Sequence, residues 1–143
     1  MERFVFAALF SAFCFVGVAH AGDIRGKDGK CIDIPKGVTE DGTTLDYRTC
    51  NGGPEQQWTM KGDTIVGKDN KCIDIPEGNT ADGTALNLWS CEDGADEQKW
   101  KVVKGALVGK DGKCIDLPGG KTDDGTPVQV STCDGSAKQQ WKF

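Results

Sequence analysis

The stretch Gly-Lys-Asp-Gly-Lys-Cys-Ile-Asp-Ile-Pro at residues 26–35 occurs three times in this chain with almost no change. It returns as Gly-Lys-Asp-Asn-Lys-Cys-Ile-Asp-Ile-Pro at 67–76 and as Gly-Lys-Asp-Gly-Lys-Cys-Ile-Asp-Leu-Pro at 109–118. Recurrence at a nearly fixed period indicates copies of one supersecondary unit. The chain is therefore predicted to be pseudo-threefold, with repeats at about 22–61, 62–103 and 104–143.

Each copy continues through the same three features in the same order. An Asp-Gly-Thr turn stands at 41–43, 82–84 and 124–126, and a second cysteine follows it. A Gln-x-Trp motif closes each copy at 56–58, 98–100 and 139–141.

The first 21 residues have the pattern of a secretory signal peptide. Apolar runs at 4–10 and 12–19 lead to Ala19-His20-Ala21, a small-residue cleavage pattern. We expect cleavage before Gly22, a single mature domain at 22–143 and secretion, and no later stretch is apolar enough to span a bilayer. Cleavage removes the only histidine, which excludes His-dependent catalysis and imidazole metal sites in the mature chain.

Six of the seven cysteines lie in the expected mature chain, two in each repeat. Six cysteines allow 15 pairings, but the repetition and an oxidising export route favour one bridge within each repeat. Their spacing is too wide for a zinc knuckle, and no histidine completes one. The expected pairs are Cys31 with Cys50, Cys72 with Cys91, and Cys114 with Cys133.

Short apolar or β-branched runs separated by turn residues predict an all-β fold with four strands per repeat and twelve in total. Alternation along the third strand of each repeat assigns its faces. The inward positions are Leu45, Tyr47, Leu86, Leu88, Val128 and Val130, and the outward positions are Asp46, Arg48, Asn87, Trp89, Gln129 and Ser131.

The four tryptophans divide into two kinds. Trp58, Trp100 and Trp141 recur once per repeat and are expected to anchor a shared core, beside glutamines that more often bond backbone than ligand. Trp89 has no counterpart in the other repeats and lies on the outward side of its strand.

These ordered motifs resemble the ricin B-type lectin domain, a β-trefoil with three Gln-x-Trp repeats, over essentially the whole expected mature chain. The resemblance implies a six-stranded barrel capped by three hairpins, with up to one shallow sugar site per repeat. Each such site combines an Asp after the first cysteine, a polar residue and an aromatic before the second cysteine, and an Asn-Gln pair in the final motif.

Mapped residue by residue, the second repeat retains most of this sugar site. It has Asp74, Asn87, Trp89 and Gln98, with Glu97 where the family usually has Asn. An aromatic face packs on the C–H patch of a pyranose while a carboxylate accepts hydrogen bonds from its hydroxyls. The alternative is a stray surface tryptophan beside a structural aspartate.

The other two repeats depart from the family pattern at the aromatic position. The first keeps Asp33, Asp46 and Gln56 but has Arg48 there, which either stacks on a sugar or pairs with Asp46. The third keeps Asp116, Gln129 and Gln139 but has Ser131 and Lys138 at the decisive positions. The secondary candidates for sugar binding are Asp33, Asp46, Arg48, Gln56, Asp116, Gln129 and Gln139. Because the first aspartate persists without the aromatic, part of its role is expected to be structural.

The predicted function is a secreted, cofactor-free and metal-free lectin for neutral galactose-type or xylan-type sugars, best bound in the second repeat. The alternative is a sugar-inactive trefoil that acts as a protein-binding inhibitor or effector. An enzyme is disfavoured because the acidic residues lie mostly in Gly-rich turns, and Asp28, Asp33 and the pairs at 40–41 and 123–124 do not form a calcium loop. A pI of about 4.8 disfavours nucleic acid, sulfated glycans and anionic lipid. The oligomeric state is left open.

Overall fold

The computed structural model describes residues 21–143. Apart from Ala21, the predicted signal peptide lies outside the described residues, and it stays a prediction. Within 21–143 every regular element is a short strand or a single 3-10 turn, without any α-helix. No helix in this range is long and apolar enough to cross a membrane.

The strands are β1 (Ala21–Gly22), β2 (Cys31–Asp33), β3 (Thr43–Thr44), β4 (Asp46–Arg48), β5 (Trp58–Lys61), β6 (Thr64–Val66), β7 (Lys71–Asp74), β8 (Thr84–Ala85), β9 (Asn87–Ser90), β10 (Lys101–Val103), β11 (Ala106–Val108), β12 (Lys113–Asp116), β13 (Thr126–Pro127) and β14 (Gln129–Thr132). The 3-10 helices are Lys27–Gly29, Pro35–Gly37, Pro54–Gln56, Lys68–Asn70, Pro76–Gly78, Asp96–Gln98, Lys110–Gly112, Pro118–Gly120 and Ala137–Gln139.

The predicted all-β, pseudo-threefold fold is confirmed, and the strand count differs from twelve for a simple reason. The third strand of each repeat is interrupted at one residue, Leu45, Leu86 or Val128, which divides it into β3 and β4, β8 and β9, or β13 and β14. The final strand position is reduced to a bridge between Arg25 and Lys142.

The three interruptions are where the repeats join. Leu45 N donates to Leu86 O at 3.0 Å, Leu86 N to Val128 O at 2.9 Å, and Val128 N to Leu45 O at 3.2 Å. The half-strand before each interruption pairs with the next repeat, so that β3 pairs with β9, β8 with β14 and β13 with β4. This cyclic pairing closes the ring of repeats.

The shared core consists of the residues that alternation placed inward. Leu45, Tyr47, Leu86, Leu88, Val128 and Val130 are all buried, as are the three Gln-x-Trp tryptophans. Trp58, Trp100 and Trp141 each donate their indole N–H to a carbonyl of the first-cysteine strand, at Ile32, Ile73 and Ile115. Gly67 shows why glycine begins the repeated motif, since a Cβ there would lie 2.5 Å from the Trp58 ring.

The second lysine of the repeated stretch and the aspartate of the Asp-Gly-Thr turn join each repeat to its neighbour. The turn carboxylate of Asp41 accepts from Lys71 Nζ at 2.6 Å and from the backbone N–H of Ser90 at 2.8 Å. Asp82 makes the same contacts with Lys113 and Thr132. Asp124 closes the cycle on Lys30 and Thr49. These bonds hold the pKa values of Asp41, Asp82 and Asp124 below their ordinary range.

All three predicted disulfides are present within their own repeats. They join Cys31 to Cys50, Cys72 to Cys91 and Cys114 to Cys133, each with a Cα–Cα distance of 5.1 Å. A bridge that closes a loop of this size contributes about 3 kcal/mol in the chain-entropy description.

Candidate functional site

A cleft of about 300 Å³ lies at the end of the second repeat's strand pair β7–β9. Asp74 and Asn87 are direct cross-strand partners in this pair, which places both side chains at one point of the sheet. The lining residues are Asp74, Pro76, Glu77, Asn87, Trp89, Glu92 and Glu97. The cleft therefore brings together four of the five residues predicted for the second-repeat site.

Asp74 lies at the buried end of the cleft, with only 5% of its surface exposed. Its Oδ1 accepts from Gln98 Nε2 at 3.2 Å, and its Oδ2 accepts from the Asn87 amide at 2.7 Å when that amide is oriented to satisfy its partners. Burial raises the pKa of the Asp74 carboxyl to about 6. The bond from Gln98 opposes this rise, and the nearby Glu97 and Glu92 carboxylates add to it.

Trp89 is the exposed apolar side chain of the cleft, with 37% of its surface accessible. Its backbone is held because Gly42 N, in the turn of the first repeat, donates to Leu88 O at 2.8 Å. The ring also lies close to this turn, since a Cβ at Gly42 would be 3.7 Å from Trp89 Cζ3. The ring therefore offers an exposed apolar surface that lies between this turn and the carboxylate and amide of the cleft.

Gln98 reaches the site only through Asp74, because its side chain is 1% exposed. Its Oε1 accepts from Glu92 N at 2.8 Å, and its Nε2 donates to Ser90 O at 3.0 Å as well as to Asp74. Gln56 and Gln139 bond the corresponding loops in the other repeats. These glutamines hold the loop after the second cysteine, as the preference for backbone bonding predicted.

In the first repeat, a guanidinium occupies the place of the aromatic platform. Asp33 and Asp46 face each other across β2 and β4, and Arg48 bridges them, with Nη2 3.0 Å from Asp46 Oδ2 and Nε 3.5 Å from Asp33 Oδ2. Burial and the neighbouring Asp46 raise the pKa of Asp33 to about 7. Of the two alternatives for Arg48, the structure contains the ion pair with Asp46.

In the third repeat, a lysine occupies the carboxylate. Lys138 Nζ lies 2.9 Å from Asp116 Oδ1 and 3.0 Å from Asp134 Oδ2. Gln129 Nε2 donates to the other Asp116 oxygen at 2.8 Å. Both oxygens of Asp116, like those of Asp74, are bonded by side chains of its own repeat, and the difference is that one of the donors to Asp116 is the Lys138 ammonium.

Three residues that line the second-repeat cleft were not predicted from the sequence: Pro76, Glu77 and Glu92. Pro76 ends the repeated ten-residue stretch and is a proline in every repeat, so it does not distinguish the second, and Glu77 and Glu92 lie in turns where the repeats differ and no motif marks a function. Alignment of the three copies does contain a signal, since Glu77 corresponds to Lys36 and Gly119, and Glu92 to Asn51 and Asp134.

The aspartates considered for calcium binding have other partners. Asp28 accepts from the Thr122 hydroxyl at 2.7 Å, and Asp41 and Asp124 hold the bonds between repeats described above. Asp23, Cys31 and Cys50 lie close together, but both sulfurs belong to one disulfide and supply no thiolate ligand.

Comparison with known proteins identifies the same domain type. The family model described as the ricin-type beta-trefoil lectin domain matches residues 20–141. Nigrin b of Sambucus nigra is 32% identical over 53 residues, which cover 37% of this chain and 9% of that protein. The chain thus matches only a small part of this curated relative.

Two solved structures share the fold. The designed threefold-symmetric protein ThreeFoil is 27% identical, with a TM-score of 0.78 over 85% of this chain and 96% of that one. The agglutinin from Abrus precatorius is 23% identical, with a TM-score of 0.80 over 92% of this chain and 51% of that one. The predicted β-trefoil is confirmed by this likeness.

Proposed function

This chain belongs to the ricin-type β-trefoil lectin family, and from that premise we propose that it is a secreted lectin that binds a neutral sugar in its second repeat. Galactose-type and xylan-type sugars are the proposed ligands. The observation that carries the proposal is the position of Trp89 beside Asp74 and Asn87 in one open cleft.

The chemistry of this cleft suits a pyranose. The exposed ring of Trp89 offers a face for the sugar's C–H groups, and the Asp74 carboxylate accepts hydrogen bonds from adjacent hydroxyls. Asn87 adds an amide whose position is set by its bond to Asp74. Gln98 is buried and holds the Asp74 carboxylate through a hydrogen bond, so we assign it a positioning role.

The other two repeats are proposed to contribute little sugar binding. Arg48 and Lys138 already pair with the carboxylates that would accept the sugar hydroxyls. The secondary positions at Asp33, Asp46, Arg48, Gln56, Asp116, Gln129 and Gln139 are therefore proposed to be mainly structural. One weak site per chain would attach the protein to a glycan surface, and avidity would then require several chains.

We propose that the chain acts by binding alone, without catalysis. A retaining or inverting glycosidase needs two carboxyl groups that flank the scissile bond. Asp74 instead bonds to Gln98 and Asn87 at the base of the cleft, an arrangement that suits ligand binding. The net negative charge of the chain also disfavours nucleic acid as a partner, because nucleic acid carries negatively charged phosphates.

A glycan array tests this function, with residues 22–143 in their oxidised form beside the Trp89→Ala variant. Trp89 is exposed, so the variant should fold, which circular dichroism checks. Arg48→Ala is the matched control at the equivalent position of the first repeat. We expect the array signal to disappear in Trp89→Ala and to persist in Arg48→Ala. A folded wild type that binds no glycan would instead support the protein-binding inhibitor or effector.

A further inference from the structure

The second-repeat cleft carries an unusual concentration of negative charge. Its lining includes four carboxyl groups, from Asp74, Glu77, Glu92 and Glu97, and no lysine or arginine. Within residues 21–143, none of the four has an ion-pair partner within 4.0 Å. By contrast, the corresponding cleft of the first repeat is lined by Lys36, Arg48 and Lys68 as well as by acidic groups.

The fold does not require these glutamates. The position of Glu77 holds Lys36 in the first repeat and Gly119 in the third, and that of Glu97 holds Glu55 and Lys138. The same backbone therefore accepts neutral and basic residues at these places. Glu77 also has a positive φ of 54°, close to the 58° of Gly119. This left-handed conformation favours glycine, so the backbone gives no reason for a glutamate at this position.

The cluster is also unfavourable for the unbound protein. Like charges at short range repel one another, and Glu97 and Glu92 add to the raised pKa of Asp74. A cation placed in the cleft would relieve this repulsion.

We infer that the second-repeat cleft selects a sugar that carries a protonated primary amine, a free hexosamine, over the neutral parent sugar and the N-acetylated form. The inference rests on the proposed sugar-binding function and names its preferred ligand class. The pyranose packs on Trp89, and the ammonium group lies among the carboxylates of Glu77, Glu92 and Glu97. N-acetylation removes the charge and with it the preference.

Isothermal titration with matched sugars tests this inference on the oxidised chain. The probes are galactose, galactosamine and N-acetylgalactosamine, and the same three derivatives of glucose, at neutral pH. We expect the amine of at least one series to bind about two- to fivefold more tightly than its parent sugar at low salt. The ratio should approach one at about 1 M salt, where the screening length is about 3 Å.

The paired variant Glu77→Gly/Glu92→Asn removes two of the charges with residues that the other repeats already use at these positions. The readout is the ratio of amine to parent affinity within each protein, so a general loss of binding cancels. We expect this ratio to fall towards one. Asp63→Asn/Asp123→Asn removes the same charge from exposed turns outside the cleft and should keep the wild-type ratio.

Parent sugars that bind as tightly as their amines would overturn the inference and leave the lectin function standing. Absence of binding by every sugar of both series would overturn the inference, and the glycan array, with its galactose-type and xylan-type sugars, decides separately whether the lectin function stands. A ratio that survives in Glu77→Gly/Glu92→Asn would also contradict it. Lysine amide is the last probe. If it bound as tightly as the hexosamine, the cleft would be recognising a basic peptide group, which would overturn the inference.

Discussion

Lys138 Nζ lies 2.9 Å from Oδ1 of Asp116, whereas the corresponding carboxyl of the second repeat, Asp74, has no cation beside it among the described residues. Lys138 stands at the sequence position of Glu97. Between these two repeats, the lysine at this position occupies the carboxylate of Asp116 and the glutamate leaves that of Asp74 without a cation, whereas in the first repeat Arg48 supplies the cation from the position of Trp89.

Glu97→Lys should close the second-repeat site. The new ammonium would pair with Asp74 as Lys138 pairs with Asp116, and a ligand would have to displace it. We expect sugar affinity to fall at least about tenfold, measured by isothermal titration, because a charge-assisted bond is lost. The same change at the equivalent first-repeat position, Glu55→Lys, should leave the affinity unaltered. Full binding by Glu97→Lys would contradict this account of occupancy.

Gln98→Ala should weaken both the fold and the binding. It leaves Glu92 N and Ser90 O without their buried partner and frees Asp74 to move. We expect about 2–4 kcal/mol loss in the free energy of unfolding, measured by denaturant titration. Gln139→Ala should cost a similar amount of stability without affecting binding. Equal loss of binding in the two variants would show that Gln98 has no specific link to the site.

Sugar affinity should decrease as the pH falls through about 6, the raised pKa of Asp74. A sugar hydroxyl donates to the ionised carboxylate, so affinity is complete above this pKa and falls by up to about tenfold per pH unit below it. The sign for folding is the reverse, because a raised carboxyl pKa favours the folded state at low pH. Titrations at several pH values would check this, and a flat affinity profile from about pH 5 to about pH 7 would exclude Asp74 as the acceptor.

Asp82→Ala should lower the melting temperature because it removes a fastening between the second and third repeats. Asp82 bonds to Lys113 and Thr132, and these bonds lower its pKa. A lowered carboxyl pKa stabilises the fold above the unfolded value, and this contribution is lost as the pH falls through the folded value. The variant should therefore lose most at neutral pH and converge on wild type in acid. The control is Asp123→Ala, in the exposed residue just before Asp124, the third-repeat equivalent of Asp82, and its melting temperature should change little.

The fold could be predicted from the sequence because the same motifs recur in the same order in three repeats, so each repeat supports the interpretation of the other two. Burial of Tyr47 followed from strand alternation, and the disulfides followed from two cysteines per repeat. The split of the third strand did not follow, because the bond from Leu45 to Leu86 depends on how the repeats meet around the axis.

The candidate site was predicted only in part. Trp89 stood out because the other repeats lack it, and the structure places it in the same cleft as Asp74. Burial of Gln98 and the contact between Lys138 and Asp116 depend on side-chain packing across loops, which a one-dimensional pattern does not contain. Glu77 and Glu92 escaped notice for the same reason, since their loops meet at the cleft only in the folded chain.

Chemical-shift mapping of the isotopically labelled protein with its best array glycan tests the central claim most directly. We expect the largest perturbations at the Trp89 indole N–H and the Asn87 side-chain amide, with saturation at one sugar per chain. Trp58, Trp100 and Trp141 are buried and serve as internal controls whose indole signals should stay in place. Perturbations centred on Arg48 or Ser131, or none at saturating sugar, would contradict the assignment of the site to the second repeat.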